Sequence, residues 1–175
     1  MAHLTLDALE AALDDIRRAP KDDGVVELIV RRPGVDEREE LAEATLDPAD
    51  GLVGDGWKAR GSGTDRQLTL MNARVVSLLA RTEDRRQLAG DQLYVDFDLS
   101  LDNIPPGTRV AIGDAVVAVS AAPHRGCKKF AARFGQDAWT FVNSEVGKQL
   151  NLRGINATVV VGGTVRPGDP IRKAP

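Results

Sequence analysis

The chain has 175 residues, of which 42% are hydrophobic and 28% charged, enough for one domain with a real core. Its 23 Lys and Arg against 26 Asp and Glu give a formal charge of -3, which argues against a basic nucleic-acid-binding domain. A single cysteine excludes an intrachain disulfide, no apolar run approaches the roughly 18 residues of a membrane span, and the acidic N-terminus is unlike a secretory signal, so a cytoplasmic location without membrane contact is expected.

Leu6, Leu9, Leu13 and Ile16 recur at helical spacing and predict a leading helix over about 5–18, with Thr5 as its cap and Pro20 beyond its end. "GVVELIVRR" (24–32) is apolar and β-branched, a strand closed by Pro33-Gly34. The acidic stretch 35–50 predicts one short strand within polar connections, and "GLVGDGWKARGSGTD" (51–65) reads as a loop. "RQLTLM" alternates as a half-buried strand does, and Asn72 is placed to cap a helix over 73–80. In "GDQLYVDFDLS", Leu93, Val95, Phe97 and Leu99 alternate again. "TRVAIGDAVVAVSAA" predicts a hairpin folded at Gly113-Asp114. "INATVVVGGTVRPGDPIRK" predicts a second, with turns at Gly162-Gly163 and near Pro167-Gly168-Asp169.

Strands joined by short turns, with few crossover helices, predict a mainly β fold with inserted helices (α+β), an antiparallel barrel-like sheet rather than a doubly wound one. The expected layout is one domain over 1–175, with a leading helix in 1–22 and a β-rich core over 24–173.

"PHRGCKKFAARFG" (123–135) holds the only cysteine, Cys127, among His124, Arg125, Lys128, Lys129 and Arg133, and no Asp or Glu occurs between Asp114 and Asp137. The stretch from 127 to 134 predicts a helix closed by Gly135. Two readings of Cys127 stand. Cys127, Phe130, Ala131 and Phe134 share one helical face, so the thiol can continue a buried apolar stripe. The same position lies in the first helical turn beside several cations, where thiolate is favoured for nucleophilic or metal-binding work. His124, three residues earlier, is a candidate hydrogen-bond partner for that thiol. With two histidines and one cysteine, an all-protein zinc site is not expected. Asp55 and Asp91, each following a glycine, read as turn braces, as does Asn103.

Five motifs in order, "GLVGD" (51–55), "RQLTLM" (66–71), "DNIPPGTRVAIGDAVVAVS" (102–120), "HRGCKKF" (124–130) and "RGINATVVVGGTVRPGD" (153–169), resemble the MOSC domain, named for the C-terminal domain of molybdenum cofactor sulfurase. The resemblance covers roughly 24–173. It implies a strand-rich barrel-like fold in a stand-alone protein. It also implies that Cys127 is the family's characteristic cysteine, carrying sulfur or binding molybdenum in a pterin cofactor, as carrier, transferase, reductase or non-catalytic binding module. Motif position brings Arg66, Asn103 and Arg153 to the expected cofactor site, and sequence neighbourhood brings His124, Arg125 and Lys128. The partners implied are an anionic cofactor or small molecule and a redox or sulfur-donor protein. One departure is local: the family often has proline immediately before the cysteine, where this chain has Gly126.

Overall fold

A computed structural model describes residues 2–175. In chain order the elements are α1 (Leu6–Glu10), α2 (Leu13–Arg17), β1 (Gly24–Arg31), β2 (Glu39–Glu40), β3 (Ala44–Asp47), β4 (Gly51–Leu52), β5 (Leu68–Asn72), α3 (Ala73–Ala80), β6 (Leu93–Asp96), β7 (Arg109–Ile112) and β8 (Ala115–Val119). There follow α4 (Lys128–Phe134), α5 (Gln136–Asn143), α6 (Glu145–Gln149), β9 (Ile155–Val161), β10 (Gly163–Val165) and β11 (Pro170–Lys173).

Alternation along the strands sorts side chains between two cores. Leu93 and Val95 of β6 point into one cluster with Leu70, Val117, Ala157 and Ile171, while the intervening Tyr94 joins Met71 in a second cluster under the helices. The first cluster fills a barrel in which β1, β6, β5, β9, β8, β7 and β11 pair in succession and β11 returns to β1. This is the expected barrel, antiparallel at every joint but one. The exception is β5 beside β6, which run parallel with Leu70 opposite Leu93. Parallel neighbours need a crossover rather than a hairpin. Here α3 and the 3-10 turns of Glu83–Ala89 supply it, and its return leg, Leu88–Asp91, becomes the centre of the site described below.

Thr5 accepts from the Ala8 amide and Asn72 from the Arg74 amide, as the sequence predicts. The hairpin at Gly113-Asp114 forms, pairing Ile112 with Ala115. Two expectations are corrected. The leading helix is two short helices, because i to i−3 hydrogen bonds from the Ala12 and Asp15 amides tighten the chain between them. The second hairpin is absent: β9 pairs with β5 and β8, whereas β10 leaves the barrel to join β3 and β4 in a separate three-stranded sheet. The reason lies at Gly163, whose backbone presses on the first turn so closely that an added Cβ would stand 2.5 Å from the Asp114 carbonyl carbon. β10 is therefore laid across the Gly113-Asp114 turn, and Asp114 donates to the Thr164 carbonyl at 3.1 Å. No helix among the described residues is long and apolar enough to cross a membrane.

Candidate functional site

The return leg of the crossover is gripped from four directions. Arg133 of α4 donates to the Leu88 carbonyl at 2.9 Å, Arg153 to that of Ala89 at 3.0 Å, and Arg32 to that of Gly90 at 2.8 Å. Asp91, fully buried, takes Arg153 Nη1 on one carboxylate oxygen at 2.5 Å and His124 Nε2 on the other at 2.7 Å. Burial alone would raise the Asp91 pKa, but Arg153 and His124 outweigh it and hold the group at about 2. An ionised carboxylate only accepts, so His124 carries its proton on Nε2 and keeps a lone pair on Nδ1. Burial first, then Arg153, pushes the His124 pKa below its ordinary value against the pull of Asp91, so the ring is neutral at pH 7. Arg153, 6% exposed, lays its guanidinium over Phe130 with Cζ 4.9 Å from the ring centre, and its Nε has no partner among the described residues. Asp91 is thus the hub of a buried polar cluster, not the turn brace read from its Gly-Asp context.

A cleft of about 210 Å³ opens against the same leg, lined by Arg32, Arg38, Arg60, Gly90 and Lys129 among others. Its one lining carboxylate, Asp36, is already engaged, as is Asp55, which pairs with two of the lining arginines. Asp55 is bound by Arg32 and Arg60, each at 3.0 Å, and Asp36 by Arg133 at 2.9 Å. Gly90, with φ +90°, holds the open centre: an added Cβ would stand 3.6 Å from both Arg38 Nη2 and Arg133 Nη1. Burial first, then the charges of Arg133 and Arg32, depresses the Arg38 pKa, and among the described residues Arg38 has no carboxylate within ion-pair distance. Four cations, Arg32, Arg38, Arg60 and Lys129, thus line the cleft against one lining carboxylate, Asp36.

Cys127 is exposed and serves as the N-cap of α4, in extended conformation at φ -106° and ψ 178°. The apolar-stripe reading is corrected. Phe130 and Phe134 are buried, but the chain becomes helical only after the cysteine. Its backbone is set by α5 through the preceding peptide. The Gly126 amide donates to Asn143 Oδ1 at 2.9 Å, and its carbonyl accepts from Trp139 Nε1 at 2.8 Å and Asn143 Nδ2 at 3.2 Å. A proline at position 126 would forgo the first of these bonds. A side chain there would also meet Asn143 Nδ2 at 2.9 Å and Val142 Cγ2 at 3.0 Å.

The structure brings only some of the expected site residues together. His124 and Arg153 meet through Asp91, and His124 bonds to that carboxylate rather than to Cys127. Arg125, exposed, donates to the His124 carbonyl at 3.3 Å, and Lys128 is exposed at the start of α4. Arg66 stands exposed in the 3-10 turn Thr64–Arg66, and among the described residues no hydrogen bond or ion pair joins its guanidinium to the cluster. Asn103 lies in a different cavity beside Lys21, its amide bracing a loop through the Asp98 carbonyl at 2.7 Å and that of Lys21 at 3.0 Å. Arg32 and Arg38 carry no signal in the sequence, and Arg133 shows there only as one more cation near Cys127. For Asp91 the Gly-Asp pair was visible but pointed to a turn, and the arginines sit in separate segments without a common spacing. Among the described residues no three His, Cys, Asp or Glu side chains cluster as a metal cage. A metal at Cys127 would thus depend on donors carried by its own ligand, which is how a pterin-bound molybdenum is held. With the cradle at Gly90, the residues present fit such a group.

Three solved structures share the fold. One, described as that of a hypothetical protein, has a TM-score of 0.63 and 23% identity, covering 91% of this chain and 70% of the other. YiiM from Escherichia coli gives 0.58 and 22% over 86% and 70%, and the YuaD protein from Bacillus subtilis 0.58 and 16% over 85% and 93%. No protein of curated function matches the sequence significantly. The MOSC domain model matches residues 52–172, well over half the chain and including the crossover, the cysteine segment and Arg153, so the chain belongs to the MOSC domain family, a domain of molybdenum-cofactor biology.

Proposed function

We propose that the protein binds a molybdenum-pterin cofactor, with the anionic part of the cofactor in the cationic cleft and Cys127 as its sulfur ligand. One observation carries this reading: an exposed thiol opens the same helix that sends Lys129 and Arg133 toward the cleft. Arg38, whose guanidinium among the described residues donates only to the neighbouring Glu37 carbonyl, and Arg133 across Gly90 would hold the anion through charge-assisted hydrogen bonds. A thiolate is a soft donor suited to molybdenum. When bound, the cofactor supplies redox or sulfur chemistry at the metal. The chain's own part is to hold the anion, fix the Cys127 backbone through Trp139 and Asn143, and keep the thiol open to solvent. Sulfur carriage by Cys127 draws on the same exposed thiol and needs a sulfur-donor protein, as reduction needs an electron donor.

The test is metal analysis of the full chain expressed in a host that makes the cofactor. Stoichiometric molybdenum, lost in Cys127→Ser and reduced in Arg38→Gln, is expected. Wild-type protein without molybdenum, or a Cys127→Ser variant that keeps it, would overturn the reading. Turnover by the loaded protein then separates an enzyme from a binding module.

A further inference from the structure

A second cavity, of about 110 Å³, shares no lining residue with the cationic cleft. One wall is the segment Ser120–Arg125, which runs directly into Gly126 and Cys127. Ile104, Val119 and Pro123 make it apolar, and Arg125 and Lys148 are its charged residues, with no carboxylate lining it among the described residues. Into the same lining comes His124, whose Nε2 is spent on Asp91 and whose Nδ1 has no donor from the described residues. Three features therefore coincide: an apolar wall, two cations, of which Lys148 also reaches the exposed Glu145 at 3.3 Å outside the lining, and one ring nitrogen fixed as an acceptor by a buried carboxylate that Arg153 holds in turn.

We propose that this cavity is a small-molecule site for a short organic anion, its charge toward Arg125 and Lys148, its carbon body on the apolar wall, and a hydroxyl or amide N–H donating to His124 Nδ1. The space suits a short-chain acid of about four to eight non-hydrogen atoms. Asp91 acts here as a positioning residue. It fixes the tautomer, and without it either ring nitrogen can carry the proton. The Ser120–Arg125 wall carries the ligand on the segment that leads to the thiol, which makes it a candidate substrate site apart from the cofactor's anion cleft.

The experiment is a nuclear magnetic resonance titration of the full chain, without metal or cofactor, with 3-hydroxybutanoate as the probe. Saturable shifts are expected at the Val119 and Asn156 amides and on the His124 ring, with Gly90 and Lys129 unmoved. Butanoate, lacking the hydroxyl, should bind about fivefold more weakly. The double variant Arg125→Gln/Lys148→Gln should bind roughly tenfold more weakly. Both replaced side chains reach solvent, so the variant's fold can be checked independently by its unchanged amide spectrum elsewhere. Absence of saturation up to roughly 50 mM, shifts centred on Gly90 and Lys129, or unaltered affinity in the double variant would each overturn the site. Equal affinity for the two acids would overturn the role given to His124. None of these outcomes depends on molybdenum, so the site and the cofactor reading fail separately.

Discussion

Two regions of the molecule are held together by different physics. In the barrel, Val26, Leu70, Val117, Ala157 and Ile171 bury apolar surface from separate strands, and the stabilisation is shared among many contacts of similar size. At Leu88–Asp91 a few groups carry the structure: three arginines on three successive carbonyls and one buried carboxylate between a guanidinium and an imidazole. Trimming the barrel leaves the rest of the packing in place. Removing one charge from the cluster strands another in a dry environment.

The sharpest way to test that contrast is to injure each region once. Ile112→Val removes one methylene from a fully buried barrel position and should cost about 1 kcal/mol. Asp91→Ala leaves Arg153 buried without its counterion and should cost about 3–5 kcal/mol, read as a fall in denaturation midpoint. Adding Arg153→Met to Asp91→Ala should recover a large part of the loss, because the stranded charge goes with it. Comparable costs for the two single variants would show that the cluster is no different in kind from the barrel.

That asymmetry also governs what can be read from sequence. The barrel was legible because its signals are local: alternation in β5 and β6, the Gly113-Asp114 turn, and the Asn72 cap all lie within a few residues of what they specify. The cluster was not, since Asp91 meets partners 33 and 62 positions away, and a lone aspartate after glycine looks like any turn. His124 and Arg153 were singled out, yet only folding supplies the carboxylate between them. The same limit explains β10. Nothing local to Gly162-Gly163 announces that the strand will cross to β3, because the deciding contact is with Asp114, 49 positions earlier than Gly163.

Acid separates the two regions without a mutation. Asp91 has a folded pKa of about 2, below its ordinary 3.8, so its contribution is fully present above that ordinary value and is lost as pH falls toward 2. His124 is depressed as well, and its neutral folded form gives way to an unfolded chain that takes up a proton first, beginning as pH drops below about 6.5. Both effects have one sign: stability declines on acidification, first near the histidine range and again below pH about 4, with the carboxylate step worth roughly 2 kcal/mol. Denaturant midpoints measured from pH 7 down to pH 3 should show both phases in the native sequence. The acid phase should be much reduced in the Asp91→Ala/Arg153→Met variant. An undiminished acid phase there would mean that other carboxylates dominate it.

The smallest effects on stability fall where the proposed function lies. Among the described residues Arg38 donates only to the Glu37 carbonyl, and it stands among like charges, so Arg38→Gln should alter stability by less than about 0.5 kcal/mol, or raise it slightly. Cys127 is exposed and its side chain does not cap α4, so Cys127→Ser should likewise fall within about 0.5 kcal/mol of the native chain. Small stability costs at both positions are what the proposed binding role requires, since neither side chain is held by packing. The thiol gives the direct check. Iodoacetamide should modify one cysteine in the native protein without denaturant, and the modified chain should unfold at the native midpoint. Labelling only after unfolding would return Cys127 to the core with Phe130 and Phe134, and the cofactor reading would lose the ligand it rests on.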